Sequence, residues 1–289
     1  MEPLLKDRVA IVTGAGRGIG RATALAFARE GARLFLAART EHELVDTAAA
    51  CHEAGGTSEV VVTDVSNWNQ VQHLVSMAIQ QAGHVDILVN SAGIYGPIGP
   101  TADIDISSWI RGAEVNLFGA FYLCRALIPH FIQRQQGKII LLGGGGATAP
   151  LPNFSSYAAT KAAVVRLADT LAEELKPFNV QVNVIAPGLV DSRLQDDVLA
   201  AGHRAGTLFN KIKQARETGA GAVSPEAAAS LAVFLASPAS EKLTGKLIAA
   251  PYDPWREWAG KADELNATPM YTIRRLDPFT IKPLIKELG

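Results

Sequence analysis

Short β-branched or apolar runs recur along the chain at Val9 to Val12, Arg33 to Ala38, Glu59 to Thr63, Asp86 to Val89, Lys138 to Leu142, Val180 to Ile185 and Lys246 to Ala249. Between them lie longer stretches of helical period, rich in Ala, Leu, Glu and Gln, such as Glu41 to Glu53, Asn67 to Gln81 and Ser155 to Lys176. This alternation predicts an α/β fold, a doubly wound parallel sheet of about seven strands with helices on both faces. In such sheets a ligand sits beyond the carboxyl ends of the strands. The residues just after each run are therefore the candidates for chemistry.

After the first run comes TGAGRGIG, Thr13 to Gly20, which opens a helical pattern reaching Arg29. Glycines at 14, 18 and 20 permit a sharp turn and a close approach of phosphates, and the helix behind them aims free N–H groups and its positive dipole end at the same space. Thr13, Gly14, Arg17, Gly18, Ile19 and Gly20 together read as a pyrophosphate cradle. A P-loop is the poorer match, because Arg21 and Ala22 stand where that motif has Lys and then Ser or Thr. Arg39 follows the second run where a carboxylate would bind a free ribose 2′-hydroxyl, so a 2′-phosphate is the better match. With Arg17 it argues for NADP over NAD, although both arginines also fit a solvated surface. Asp64, followed by Val65, can accept from an adenine amino group or merely cap the next helix. Asn90, Ser91, Ala92 and Gly93 can close over a cofactor or form only a tight turn.

A chain of 289 residues, 48% hydrophobic and 19% charged, can build one large core. Its net charge of −1 offers no field to attract nucleic acid or acidic membranes. Cys51 and Cys124 are too far apart for a zinc motif and read as buried thiols; no metal site is expected. No apolar run is expected to reach the length of a membrane span, and the cytoplasm is the expected compartment.

In YAATK, Tyr157 and Lys161 are four residues apart on one helical face. An ammonium beside a phenol is expected to depress its pKa toward useful acid–base work. Taken with TGAGRGIG, NSAG, Asn116 in EVNLFGA and the APG at Ala186 to Gly188, this pair makes the chain resemble the short-chain dehydrogenase/reductase family from about residue 6 to about residue 250. The resemblance implies a Rossmann-type fold that binds a nicotinamide dinucleotide, with Tyr157 exchanging a proton with the substrate oxygen. It implies that Lys161 holds the nicotinamide ribose and that Asn116 anchors a water in the proton relay. By the same resemblance Pro187, Gly188, Val190 and Ser192 touch the cofactor, Ser192 replacing a frequent threonine. A small-molecule carbonyl or secondary alcohol is the implied substrate, and a homotetramer or homodimer the implied assembly.

One expected hydroxyl is missing. The family places a serine about thirteen residues before the tyrosine, and here that position is Gly144, inside Gly143 to Gly146. Loss of such a donor costs about 3 kcal/mol of transition-state stabilisation. Thr148, Ser155, Ser156 or the glycine amides can replace it; Gly144, Gly145 and Thr148 are the candidate substrate contacts. Alternatively the pocket is widened for a larger substrate that brings its own hydroxyl. The remaining alternatives are a non-redox enzyme, such as an epimerase, dehydratase or lyase, and a cofactor-binding protein without turnover. Residues 191–223 match the family's mobile substrate loop and carry His203, Arg204, Lys211, Lys213 and Arg216, which suit either an anionic substrate or a solvated helix face. Residues 1–250 are expected to form the cofactor-binding and catalytic domain. Residues 251–289, with Trp255, Trp258, Tyr271, Phe279 and five prolines from Pro251 to Pro283, form an extension expected to pack on this domain or a neighbouring subunit.

Overall fold

Each apolar run becomes a strand because both of its faces are covered. In the first strand Ala10 and Val12 enter one core layer while Val9 and Ile11 enter the other, and all four are nearly inaccessible. The computed structural model describes residues 2–275. Strands β1 (Val9–Thr13), β2 (Arg33–Ala38), β3 (Thr57–Val62), β4 (Ile87–Asn90), β5 (Gly137–Leu142), β6 (Val180–Ala186) and β7 (Leu247–Ala249) form one parallel sheet. Their order is β3-β2-β1-β4-β5-β6-β7. The fold class read from the sequence is the one observed, with strand ends shifted by one or two residues.

The helices are α1 (Gly18–Arg29), α2 (Glu41–Glu53), α3 (Trp68–Ala82), α4 (Ile106–Ala113), α5 (Gly119–Arg134), α6 (Ser155–Leu175), α7 (Arg193–Ala201), α8 (Thr207–Thr218), α9 (Pro225–Ala236) and α10 (Ala262–Asn266). One sheet face carries α1, α2 and α9 through residues such as Phe27, Leu44 and Leu231. The other carries α3, α5 and α6 through Leu74, Leu127 and Val165. The strand order reverses between β1 and β4, so the connections leaving these neighbours go to opposite faces and a crevice opens above their carboxyl ends.

Helices α4 and α5 are joined by a π-helical turn over Glu114–Phe118, which contains Asn116. Such widened turns recur at functional sites. The continuous stretch Ile106–Arg134 is, by length and composition, long and apolar enough to cross a membrane. Its most apolar 18-residue window has a mean hydropathy of 1.4, although polar residues break every continuous apolar run within it. In the fold its inner face, including Leu123 and Phe131, is core, while Ile106, Ile110, Phe118 and Phe121 remain exposed.

Beyond β7 the chain folds back onto its own domain. Trp255 and Trp258 are 4% and 5% exposed, in the same core layer as α9. The Trp255 indole donates to the Ala250 carbonyl at 3.0 Å, and Trp258 meets Tyr271 with ring centroids 4.6 Å apart. Leu247 N–H donates to the Tyr271 carbonyl at 2.7 Å, which supplies the β7 edge with a partner. Phe279 and Pro283 lie outside the described residues.

Removal of a buried indole leaves a cavity, so Trp255→Ala is expected to lower unfolding stability by about 3–5 kcal/mol in a urea titration. A loss below about 1 kcal/mol would show that this segment rests on the core without contributing to it.

Candidate active site

The glycine turn is shaped by contact as much as by conformation. A Cβ on Gly20 would stand 2.2 Å from the Gly14 carbonyl oxygen, and one on Gly14 (φ +63°) 2.9 Å from Ala92 N, so the turn closes onto α1 and the end of β4 at once. Arg17 precedes α1 without a side-chain cap, and the first turn carries no acid. Its positive end is left to whatever occupies the crevice.

That crevice is a cavity of about 480 Å³. Of the residues expected at a cofactor, Gly14, Arg17, Gly18, Ile19, Arg39, Asp64, Val65, Ala92, Gly93 and Ser192 line it. Thr13 and Asn90 do not. The Thr13 hydroxyl donates to Asn90 Oδ1 at 2.6 Å and accepts from Ala92 N–H at 3.4 Å, which ties the ends of β1 and β4 together beneath the cavity. Gly20 is buried behind the turn, and Pro187, Gly188 and Val190 line neither this cavity nor the next. The walls also include Glu43, Arg193, Leu194 and Asp197, which carry no local signature and reach the site only through the packing of α2 and α7. Gly16, Thr63, Ser91 and Ile94 also line it, and each adjoins a motif already singled out.

Two of the expected cofactor contacts already have partners. Arg17 pairs with Glu43 at 3.2 Å, and Arg193 stands 3.6 Å from the same carboxylate. Arg39 has no ion pair or hydrogen bond among the described residues. Asp64 accepts from the Ser66 N–H and hydroxyl on one oxygen and from Arg111 at 2.6 Å on the other. Burial alone would raise its pKa, but these hydrogen bonds hold it below the usual carboxylate value. Asn67, not Asp64, caps α3, accepting from Asn69 and Gln70 N–H.

Tyr157 and Lys161 share the buried face of α6. Lys161 Nζ donates to the Leu142 carbonyl at 2.8 Å and stands 5.7 Å from the Tyr157 ring centre. A Cβ on Gly93 would lie 3.4 Å from Lys161 Nζ and 3.2 Å from Asn116 Oδ1, so the floor of the crevice leads directly to these groups. Asn116 holds Ile94 from both sides: its Oδ1 accepts from Ile94 N–H at 2.9 Å, and its Nδ2 donates to the Ile94 carbonyl at 2.8 Å. The second Nδ2 proton goes to Thr160 at 3.0 Å.

The expected depression of the Tyr157 pKa by its lysine is not found in the ligand-free protein. Burial, reinforced by the neighbouring Tyr95 phenol, raises it, because a phenolate cannot be solvated there. The same burial lowers Lys161 to about 8. Gly144 faces this phenol: a Cβ there would sit 2.3 Å from the Tyr157 hydroxyl. Gly145 and Thr148 are exposed, and none of Gly144, Gly145 and Thr148 lines either cavity.

A second, more open cavity of about 600 Å³ adjoins the first at Ile94 and Asp197. Tyr95, Pro97, Ile98 and Ala201 give it an apolar side, and Ser108, Arg111, Asp197 and Arg204 a polar one. The other loop cations face outward. Arg216 pairs with Asp191 and Asp196, and Lys213 with Glu217.

A dinucleotide-sized crevice at a strand-order reversal, continuous with a buried tyrosine and lysine, defines an α/β enzyme of the nicotinamide-dependent oxidoreductase class. A family profile described as short chain dehydrogenase matches residues 8–201, and the chain belongs to that family. It is 37% identical over 244 residues to 3beta-hydroxysteroid dehydrogenase 1 of Eggerthella lenta, covering 83% of this chain and 91% of that protein. The fold superposes on an NAD+-bound xylitol dehydrogenase with a TM-score of 0.79 at 26% identity, covering 85% of this chain and 98% of the other. An actinorhodin polyketide ketoreductase with NADPH gives a TM-score of 0.78 at 28% identity, covering 84% and 95%.

The buried lysine gives the fold a pH signature. Lys161 releases its proton at about 8 when folded and at 10.5 in its ordinary environment. Between these values the unfolded chain binds more protons, so stability rises with pH. Lys138, lowered to about 8 chiefly by burial, acts in the same sense. The denaturation midpoint of the protein is therefore expected to rise from pH 8 to pH 9, below the range where Cys51 and Cys124, whose thiols burial pushes up, act in the opposite sense, and Lys161→Met to flatten part of that rise. An unchanged slope in the variant would mean that Nζ is solvated.

Proposed function

We propose that the chain is an NADP-preferring oxidoreductase that transfers hydride between the nicotinamide and a small-molecule carbonyl or secondary alcohol. The observation that carries this reading is the buried pair of Tyr157 and Lys161, reached from the crevice past Gly93. The residues present fit the cofactor: the glycine cradle, the open positive end of α1 and the cation at Arg39 face one crevice, and the donor at Lys161 stands just behind its floor at Gly93. When bound, the dinucleotide supplies or accepts the hydride.

In this reading the protein's own groups manage the proton and the alignment. Tyr157 keeps its proton at neutral pH and gives it to a carbonyl oxygen, or takes it back from an alcohol. Lys161, still mostly cationic at pH 7, offsets charge developing on the phenol in a medium that screens it poorly. Asn116 fixes Ile94 and Thr160 around the phenol and carries the relay water. Gly144 occupies the position of the family's serine, which makes this an atypical member with an altered catalytic set. Residues 251–289 are an extension bracing a catalytic domain of residues 1–250. The exposed apolar face at Ile106, Ile110, Phe118 and Phe121 suits a second copy of the chain, and the enzyme is cytoplasmic.

NADP preference rests on Arg39, since the Arg17 charge is shared with Glu43. A charge-assisted contact to a 2′-phosphate is worth about 1.5–3 kcal/mol, or roughly tenfold to a hundredfold in affinity. Arg39→Gln is expected to weaken NADPH binding by that factor, measured by fluorescence titration, and to leave NADH binding unchanged. Equal effects on both would remove the preference. Turnover is tested by NADPH oxidation with ethyl acetoacetate, cyclohexanone and a 3-oxo steroid. Tyr157→Phe is expected to lower kcat by about a thousandfold, and a variant as active as wild type would sink the assignment of Tyr157.

A further inference from the structure

The position that faces Tyr157 at Gly144 carries no side chain, and the nearby hydroxyls are committed elsewhere. Ser155 Oγ accepts from the Trp109 indole at 3.1 Å, and Ser156 Oγ donates to the Trp109 carbonyl at 2.9 Å. Thr160 Oγ1 donates to the Tyr157 carbonyl at 3.0 Å, and Thr148 is exposed. One further phenol packs against Tyr157. The Tyr95 ring meets the Tyr157 ring edge-on, with centroids 4.6 Å apart and planes at 63°, and its other neighbour is Phe154 at 5.1 Å. Tyr95 lines the second cavity, and among the described residues its hydroxyl has no hydrogen-bond partner.

We propose that the Tyr95 hydroxyl is the second hydrogen-bond donor to the reacting substrate oxygen, serving in place of the side chain that Gly144 lacks; this rests on the oxidoreductase reading above. Three features fit that task. Two aromatic neighbours hold the ring, so its direction is set before substrate arrives. The backbone immediately before it is clamped by Asn116 on both the N–H and the carbonyl of Ile94, which gives that amide a second use in aiming Tyr95. The Tyr95 pKa is raised to about 12, chiefly by burial and then by Asp197, so the phenol stays a donor at neutral pH. A substrate oxygen seated between the two phenols would receive a hydrogen bond from Tyr95 and exchange its proton only with Tyr157. Its apolar carbons would extend along Pro97, Ile98 and Ala201, and its polar substituents would meet Ser108, Arg111 and Arg204.

The test compares Tyr95→Phe, Tyr95→Leu and Tyr157→Phe with wild type, using NADPH and the same three ketones. Tyr95→Phe keeps the ring and its packing and removes only the hydroxyl. It is expected to lower kcat about a hundredfold, with KM changed less than about threefold and NADPH affinity unchanged. Tyr95→Phe as active as wild type, beside an inactive Tyr157→Phe, would overturn the role of Tyr95 and leave the oxidoreductase reading standing. Loss only in Tyr95→Leu would likewise overturn it, because the ring and not the donor would then be what matters. No ketone-dependent NADPH oxidation by wild type would overturn the underlying reading and this proposal with it.

Discussion

The reversal of strand order between β1 and β4 is the constraint on which the rest depends. Two adjacent parallel strands whose connections depart to opposite faces cannot have the space above their ends filled by either helix layer. The hydroxyl of Thr13 bonded to Asn90 locks those two ends in register. Much of what lines the crevice is then a consequence of chain leaving a strand: the glycine turn after β1, Arg39 after β2, Asp64 after β3, and the small residues after β4.

Burial rather than pairing sets the electrostatics at the far end of that crevice. The same desolvation pushes Tyr157 upward and Lys161 downward, so each is biased toward its neutral form in the ligand-free protein. Their spacing on α6 brings them to one face, but Nζ points to the Leu142 carbonyl and not to the phenol oxygen. An uncharged phenol is suited to donating, and a nearby cation is positioned to act when charge develops on it.

Ion pairs redistribute the charges that line the site. Arg17 and Arg193 converge on Glu43, and Arg111 bridges Asp64 and Glu114, so most cations near the crevice are locally balanced. Arg39 stands apart from these pairs. Basic side chains on α8 likewise turn to carboxylates and solvent, which leaves Arg204 as the loop cation at the wall of the second cavity. Long-range charge counting cannot separate these cases, because each depends on a partner distant in the chain.

Much of the fold was legible in local pattern. Continuous apolar runs have one stable solution when helices flank them, and Gly20 is required by its contact with Gly14 inside the same turn, whereas the space at Gly14 is closed by Ala92 from the end of β4. The Tyr157 and Lys161 pair followed from helical period alone. Three-dimensional packing was needed for Glu43 and Asp197 at the crevice, for the Asn116 grip on Ile94, for the inward fold of Trp255 and Trp258, and for Tyr95 beside Tyr157. These link residues from about 20 to more than 60 positions apart, whose meeting depends on the order and hand of the strand connections. Periodicity specifies which side of an element is buried, whereas the neighbour it is buried against, and hence the pKa of what lies there, is set only when the layers close.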